Sequence, residues 1–312
     1  MRALLLYCTG TFHTRYLALK IKERLLQAGY ETVQCFEVNQ DSPEIPLESY
    51  DLVGIGYPIY AFNSPRTLNK YLEKLTFPTK TTYFIYKQSG ESMHWNNCSS
   101  RVIKKILKKQ GCSPLIEEHF LFPYNIHFRF EDSFVKQLLD YDKKLLALLI
   151  HEISEHVPQQ IKASLLDRIC SYIFTIQRIG GPINGPLYKV DQKKCDSCHL
   201  CVKLCPNHNI EVKNDNTLKF HSHCEMCMRC SFYCPADAFD IGFLEDWGWH
   251  VNIRGGYNFK RIEQMPLKPF ITPETKGFFK CYIEKFATIN RRYAELFGDK
   301  PVVNKNWCYT EE

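Results

Sequence analysis

The stretch Cys195-Asp196-Ser197-Cys198-His199-Leu200-Cys201-Val202-Lys203-Leu204-Cys205-Pro206 recurs 29 residues later as Cys224-Glu225-Met226-Cys227-Met228-Arg229-Cys230-Ser231-Phe232-Tyr233-Cys234-Pro235. Both copies spell Cys-x2-Cys-x2-Cys-x3-Cys-Pro. The tight first turn supplies three thiolates to one centre, while a cubane iron–sulfur cluster needs four, so the fourth must come from elsewhere. Each proline turns the chain out of its motif, since proline cannot carry a helix through the last ligand. Structural zinc also uses Cys-x2-Cys pairs. Paired zinc knuckles, however, would leave the third cysteine and the Cys-Pro step without a role. His199, His208, His221 and His223 lie nearby and read as solvent-facing or hydrogen-bonding groups, because the cysteine set is complete without them.

In all eight cysteines this block resembles the bacterial two-cluster ferredoxin motif. The resemblance implies two [4Fe–4S] clusters with exchanged fourth ligands. One is held by Cys195, Cys198, Cys201 and Cys234, the other by Cys224, Cys227, Cys230 and Cys205. It also implies a one-electron relay, because the exchange places the two clusters close together in one small pseudo-symmetric fold. Charges within residues 189–240 balance, so no strongly acidic docking face is expected.

Outward from this block, a length of 312 residues suggests two or three compact units. With 45% hydrophobic and 24% charged residues, the composition is that of a globular protein with a sizeable core. The net charge of +6 is spread along the chain, and Lys104, Lys105, Lys108 and Lys109 fall at helical spacing, as on a solvated helix face. No concentrated basic patch with an aromatic platform is present, so nucleic acid is not an expected partner. The amino terminus resembles a signal peptide for only five residues before running into Cys8-Thr9-Gly10-Thr11. No apolar run reaches the ~18–20 residues that a transmembrane helix requires. The chain therefore reads as cytoplasmic, where thiols stay reduced and clustered cysteines point to metal. Of the 15 cysteines, Cys8, Cys35, Cys98, Cys112, Cys170, Cys281 and Cys308 are scattered and read as buried or incidental.

The first half alternates apolar runs with amphipathic stretches. Strands are expected at residues 3–7, 32–36, 52–56, 83–86 and 115–122, and helices at 13–28, 65–75, 100–109 and 133–156. Leu17, Ile21 and Leu25 share one helical face, and Gly29 stands where that helix would stop. This alternation implies an α/β fold with a doubly wound, parallel, five-stranded sheet.

In such a sheet, ligands bind beyond the carboxyl ends of the strands, at the topological switch point. Three loops fall there: Thr9-Gly10-Thr11-Phe12-His13-Thr14, Tyr57-Pro58-Ile59-Tyr60-Ala61-Phe62-Asn63, and Gln88-Ser89-Gly90-Glu91 with Trp95 beyond. The first offers hydroxyls and helix-start amides to a phosphate. The second offers aromatics to a flat ring.

Residues 1–155 thereby resemble a flavodoxin. The resemblance implies FMN, with Thr9, Gly10, Thr11, His13 and Thr14 at the phosphate and Tyr60, flanked by Pro58 and Asn63, against the ring. It implies that Ser89 and Gly90 approach the polar edge of the ring through backbone groups. The usual Thr-Gly-Asn-Thr is here Thr11-Phe12-His13-Thr14, which puts a bulky Cβ where backbone should pass a phosphate. Either His13 compensates as a donor, or the phenyl ring points away, or the site is degenerate and the domain is a docking scaffold.

Between the two halves, residues 164–179 form a greasy helical stretch carrying Leu165, Leu166, Ile169, Ile173 and Ile176. A membrane-surface helix would want a strongly basic polar face, so packing between two domains is the expected role. Gly180-Gly181-Pro182 and Gly185-Pro186 read as turns. Past Phe243 the chain is rich in aromatics (Trp247, Trp249, Tyr257, Phe259) and ends in a helical pattern over 278–297. The expected divisions are a flavodoxin-like domain (1–157), a helical linker (158–186), a two-cluster ferredoxin domain (187–243) and an aromatic-rich extension (244–312). The whole resembles flavodoxin–ferredoxin fusion proteins of anaerobes. That resemblance implies an electron carrier that relays single electrons through its clusters to or from FMN, with redox proteins of unknown identity as partners. The alternatives are a flavin-dependent reductase with substrate near Tyr60 and Trp95, and an FMN-free scaffold that docks a ferredoxin. Against the reductase, Glu91 is the one credible acid or base, and no nicotinamide fingerprint is present.

Overall fold

The structure is a computed structural model that describes residues 1–124, 129–174, 177–243 and 256–298. Trp247, Trp249, Ile176 and Cys308 lie outside the described residues. The first half holds strands β1 (Arg2–Tyr7), β2 (Thr32–Glu37), β3 (Leu52–Pro58), β4 (Thr82–Ser89) and β5 (Ile116–Leu121). With them run helices α1 (His13–Gln27), α2 (Arg66–Leu72), α3 (Arg101–Lys109) and α4 (Asp132–Ser154). Every expected strand and helix of this half is present, its ends displaced by no more than three residues. All strand pairs are parallel and the order is β2-β1-β3-β4-β5. That order is the flavodoxin-like one, with its switch point between β1 and β3.

Period-two alternation sorts each strand between two cores. Ala3, Leu5 and Tyr7 join the α1 and α4 side, and Leu4 and Leu6 join the α2 and α3 side. At the β5 edge, the Glu117 amide donates to the Gln159 carbonyl at 2.7 Å and the Gln159 amide to that of Leu115 at 3.1 Å. The start of the linker thus covers a sheet edge that would otherwise be open to pairing.

The cysteine-rich region is built from short elements. Two antiparallel pairs, β6 (Lys189–Val190) with β9 (Phe239–Asp240) and β7 (Ile210–Val212) with β8 (Leu218–Phe220), enclose α7 (Leu200–Leu204) and α8 (Arg229–Phe232). Its own apolar cluster is small: Tyr188, Met228 and Ile241.

The connecting segment departs from expectation twice. It forms α5 (Leu165–Ile173) and α6 (Gln177–Asn184), so the Gly180-Gly181-Pro182 step is helical rather than a turn. Gly181 and Gly185 are there for close approach. A Cβ on Gly181 would lie 2.5 Å from the Cys224 carbonyl oxygen, and one on Gly185 would lie 2.4 Å from the Cys224 Cβ. The apolar side chains of α5 do not pack between two domains. Leu165, Leu166, Ile169 and Ile173 are all exposed, because the face turned inward carries Asp167 and Ser171 instead.

The carboxy-terminal extension is part of the first core. Helix α9 (Phe259–Gln264) and the long helix α10 (Cys281–Phe297) lie against α4. Tyr257, Ile262, Tyr282, Phe286 and Ile289 are buried in the same cluster as Leu5, Phe134 and Leu149. Phe286 stacks on Tyr141 with centroids 3.7 Å apart, and Arg292 bridges Glu118 of β5 at 2.6 Å and Glu152 of α4 at 2.5 Å.

Candidate functional site

The two cysteine loops share one backbone path. Left-handed φ values occur at Ser197 (56°), His199 (54°) and His208 (46°), and again at Met226 (54°), Met228 (60°) and Asp237 (48°), each pair 29 residues apart. Non-glycine residues rarely adopt this region, and such strain collects where function demands it. Here it wraps the chain so that amides face sulfur. Asn209 N donates to Cys205 Sγ at 3.2 Å, Met226 N to Cys224 Sγ at 3.3 Å and Ala238 N to Cys234 Sγ at 3.5 Å.

Two small cavities of about 20 Å³ each lie inside these loops. Cys195, Cys198, Cys201 and Cys234 line one, and Cys205, Cys224, Cys227 and Cys230 line the other. Among the described residues no three His, Cys, Asp or Glu side chains converge as a single-ion site; the thiols stand around open volumes. Burial first and the neighbouring Cys227 second push the Cys224 thiol up to about 12, and burial pushes Cys201 and Cys227 up to about 11. A metal centre that takes these sulfurs as thiolates must displace their protons, which couples its assembly to proton release. Cys198 is the exposed member of the eight. His208 pairs with Asp41 at 2.5 Å and His221 with Glu211 at 2.8 Å, which are hydrogen-bonding roles.

The second cysteine loop is docked on the α/β half. Arg229, 6% exposed, donates from Nε to the Gly10 carbonyl and from Nη2 to the Thr9 carbonyl, both at 2.6 Å. It also pairs with Glu37 at 2.9 Å and lies 4.6 Å above the Phe12 ring. Tyr233 Oη donates to the Thr11 carbonyl at 3.2 Å, and its ring lies 5.3 Å from that of Phe12. Glu225 accepts from the Thr67 amide at 2.7 Å, and Arg66 donates to the Cys224 carbonyl at 3.0 Å. Phe12, with φ 67°, therefore turns its ring toward the cysteine unit. Because the trans peptide is planar, carbonyls of residues 9–11 aimed at Arg229 and Tyr233 aim the following amides the other way.

Where the two halves meet, a cavity of about 190 Å³ opens at the carboxyl ends of the strands. Its walls are Pro58, Ile59 and Tyr60 at and just beyond the end of β3, Gln88 to Glu91 at and just beyond the end of β4, His13 at the start of α1, and Met226, Cys227 and Met228 from the cysteine loop. Gly10 marks the tightest approach. A Cβ there would lie 2.6 Å from Tyr60 Oη and 2.8 Å from the Cys227 carbonyl oxygen. Burial, with the charges of Cys227 and Glu225 behind it, raises the Tyr60 hydroxyl far above its usual range, so it stays a neutral donor. Burial lowers His13 to about 4, and its ring packs against Phe122, Tyr257 and Phe259 as a neutral imidazole.

Of the residues singled out in the sequence, His13, Pro58, Tyr60, Ser89, Gly90 and Glu91 line this cavity. Thr9, Gly10, Thr11 and Thr14 are buried behind its wall. The Thr14 hydroxyl accepts from Gln88 Nε2 at 3.3 Å, while Thr9 Oγ1 has no partner among the described residues. An unmatched hydroxyl beside a helix start is suited to a phosphate. Asn63 is turned away, donating to the Ala61 carbonyl at 2.8 Å. Trp95 is not among the residues that line the cavity; its ring lies 5.6 Å from that of Phe174 and 5.5 Å from that of Phe62. Tyr57, Pro58, Gln88 and Ser89 belong to strand ends rather than loops. Sequence reasoning missed Arg66, Tyr124, Glu225 and Arg229. Tyr124, which donates to Glu91, and Tyr282, which donates to the Gly90 carbonyl, reach the third loop from segments with no motif to flag them.

A family model described as a 4Fe-4S binding domain matches residues 188–211, which contain Cys195, Cys198, Cys201 and Cys205. The chain thus carries a 4Fe–4S binding domain with an electron-transfer role. Among solved structures it is similar to an oxidised flavodoxin 1 from Bacillus cereus, at 14% identity over 50% of this chain and 99% of that one, with a TM-score of 0.34. It is similar to a flavodoxin from the domain Archaea at 15% identity, over 50% of this chain and 100% of that one, with a TM-score of 0.32. An NADH:FMN oxidoreductase in its apo form is similar at 11% identity, over 50% and 87%, with a TM-score of 0.34. The fold assignment rests on the strand order rather than on these similarities. No curated relative matches.

Proposed function

We propose that this chain relays electrons between two [4Fe–4S] clusters and an FMN held in the cavity between its halves. The cluster of Cys205, Cys224, Cys227 and Cys230 is the inner one, next to the flavin. The cluster of Cys195, Cys198, Cys201 and Cys234 is the outer one, where the exposed Cys198 meets partner redox proteins. Residues 1–157 form the flavin half and 187–243 the cluster half.

One observation carries this reading: Cys227 and Tyr60 are walls of the same cavity. A ligand seated against the strand ends touches a cluster cysteine loop directly. Bound there, FMN would supply two-electron chemistry that the one-electron clusters lack. The chain's own groups hold it. Pro58, Ile59 and Tyr60 would give an apolar wall and Ser89 and Gly90 backbone groups, with the unmatched Thr9 Oγ1 behind that wall as the hydroxyl on offer to the phosphate. His13 contributes an uncharged ring, and Arg229 and Tyr233 keep water out of the seam between halves.

A second reading, an FMN-free docking scaffold, draws on the burial of Thr9, Thr11 and Thr14 behind the cavity wall. Anaerobic purification with assays for iron, acid-labile sulfide, zinc and released flavin separates the two. The relay requires about eight irons and eight sulfides per chain, and one FMN after incubation with the free cofactor. Full clusters that never retain FMN would establish the scaffold, and stoichiometric zinc without iron would remove the clusters altogether.

A further inference from the structure

Helix α5 has its amphipathicity inverted. Asp167 and Ser171, 2% and 0% exposed, face the protein, while Leu165, Leu166, Ile169, Tyr172 and Ile173 are 73%, 58%, 49%, 72% and 60% exposed. The spacing of these five residues places them on one helical face. Polar contacts fix that orientation. Ser164 and Asp167 form a reciprocal capping box, Asp167 also binds His94, and Ser171 donates to the Phe62 carbonyl at 3.5 Å. The inner face is thus committed to polar partners, and the apolar face has no route inward. The exposed apolar run continues along the chain at Ile179, Ile183 and Leu187. Scattered surface leucines are ordinary, but a contiguous apolar helix face marks an interaction site.

The charges beside it select the occupant. Asp167 is the one acid between residues 162 and 189 and it is buried, whereas Lys162, Arg168 and Lys189 are exposed. Acids stand near its far end, Asp240 opposite Lys189 and Glu225 beside Gly181, but the exposed charges described within residues 162–189 are cations, sparser than on a strongly basic surface helix. An exposed apolar stripe flanked by these cations, with an exposed tyrosine within it, fits the headgroup boundary of an anionic bilayer. Among the described residues no helix is long and apolar enough to span a membrane, so the contact lies in the surface plane. We propose that α5 and the segment after it form a docking face for anionic lipid membranes. The inference is independent of whether FMN binds.

The test is co-sedimentation of the anaerobically prepared full chain with vesicles of mixed phosphatidylglycerol and phosphatidylcholine, set against phosphatidylcholine alone. The bound fraction should be greater on the anionic vesicles and fall with added salt. The double substitution Leu166→Ser with Ile169→Ser alters only exposed side chains and should cut binding about tenfold or more; Arg168→Glu should abolish the preference for anionic lipid. Iron content and the thermal midpoint of both variants should match the parent. Two results would overturn the proposal: no binding by the parent, or binding unchanged by the double substitution. A parent that is dimeric, becomes monomeric with that substitution and ignores vesicles would assign the face to a second copy of the chain.

Discussion

Arg229 Nε donates to the Gly10 carbonyl oxygen at 2.6 Å. This contact joins a side chain lying between two cysteines of the second repeat, Cys227 and Cys230, to the loop that follows the first strand. Arg229 brings its positive charge to the second cysteine loop and satisfies carbonyls that would otherwise be buried without a donor. Replacing it with glutamine removes the charge. The inner cluster should then become harder to reduce, its potential falling by on the order of tens of millivolts. Arg229→Lys keeps the charge and should shift it less. Redox titration followed by electron paramagnetic resonance reads both, and identical potentials in all three proteins would show that Arg229 only fastens the halves.

Gly10 is small because Tyr60 and Cys227 close on it from two sides. Gly10→Ala should force those walls apart, with the strain of overpacking costing about 1–3 kcal/mol. FMN affinity, measured by fluorescence quenching, should weaken by about tenfold or more. Unaltered affinity and thermal midpoint would mean that the seam is looser than these contacts require.

His13 makes stability depend on pH in a definite direction. Burial lowers its folded-state value to about 4, beneath the ordinary ~6.5 of the unfolded chain. The unfolded state therefore takes up a proton first as pH falls. The contribution is fully present above ~6.5 and is lost as the pH falls toward 4; about 2 kcal/mol should be gone by pH 5. Urea unfolding of parent and His13→Gln at neutral and acidic pH isolates this slope, since acid loss of the clusters is common to both. Parallel pH dependences would contradict a buried neutral imidazole.

The carboxy-terminal helix should behave as core rather than as an appendage. Phe286 is 4% exposed and stacked on Tyr141 of α4. Phe286→Ala should lower the stability of the α/β half by about 3–5 kcal/mol, visible as a reduced thermal midpoint. A midpoint within a degree of the parent would return the helix to the status of an independent tail.

Much of this was readable before any coordinates. The five strands announce themselves because a parallel sheet covered on both faces needs unbroken apolar runs, as in residues 3–7 and 52–56. The cysteine repeat is legible because two copies of one spacing, 29 residues apart, stand out in the sequence, and the two copies take one backbone path. The misses have a common cause: a helical stripe shows which side chains share a face, but not what that face meets. The apolar stripe of α5 was expected to lie between domains and is exposed, while that of α10 looked like a tail and completes the first core. Arg229 and Tyr124 carry no periodic signal at all. Their roles arise only when segments more than thirty residues apart are brought together, as Arg229 is to Gly10 and Tyr124 to Glu91.

The central claim is that one cavity couples flavin to the inner cluster. Reductive titration of the FMN-loaded chain under anaerobic conditions tests it most directly, with cluster and flavin absorbance followed together. The account predicts uptake of about four electrons per chain, one for each cluster and two for the flavin, and bound FMN reduced through the clusters faster than free FMN under the same reductant. Uptake of about two electrons by the clusters alone, with the flavin remaining free in solution and reduced at its own rate, would contradict it.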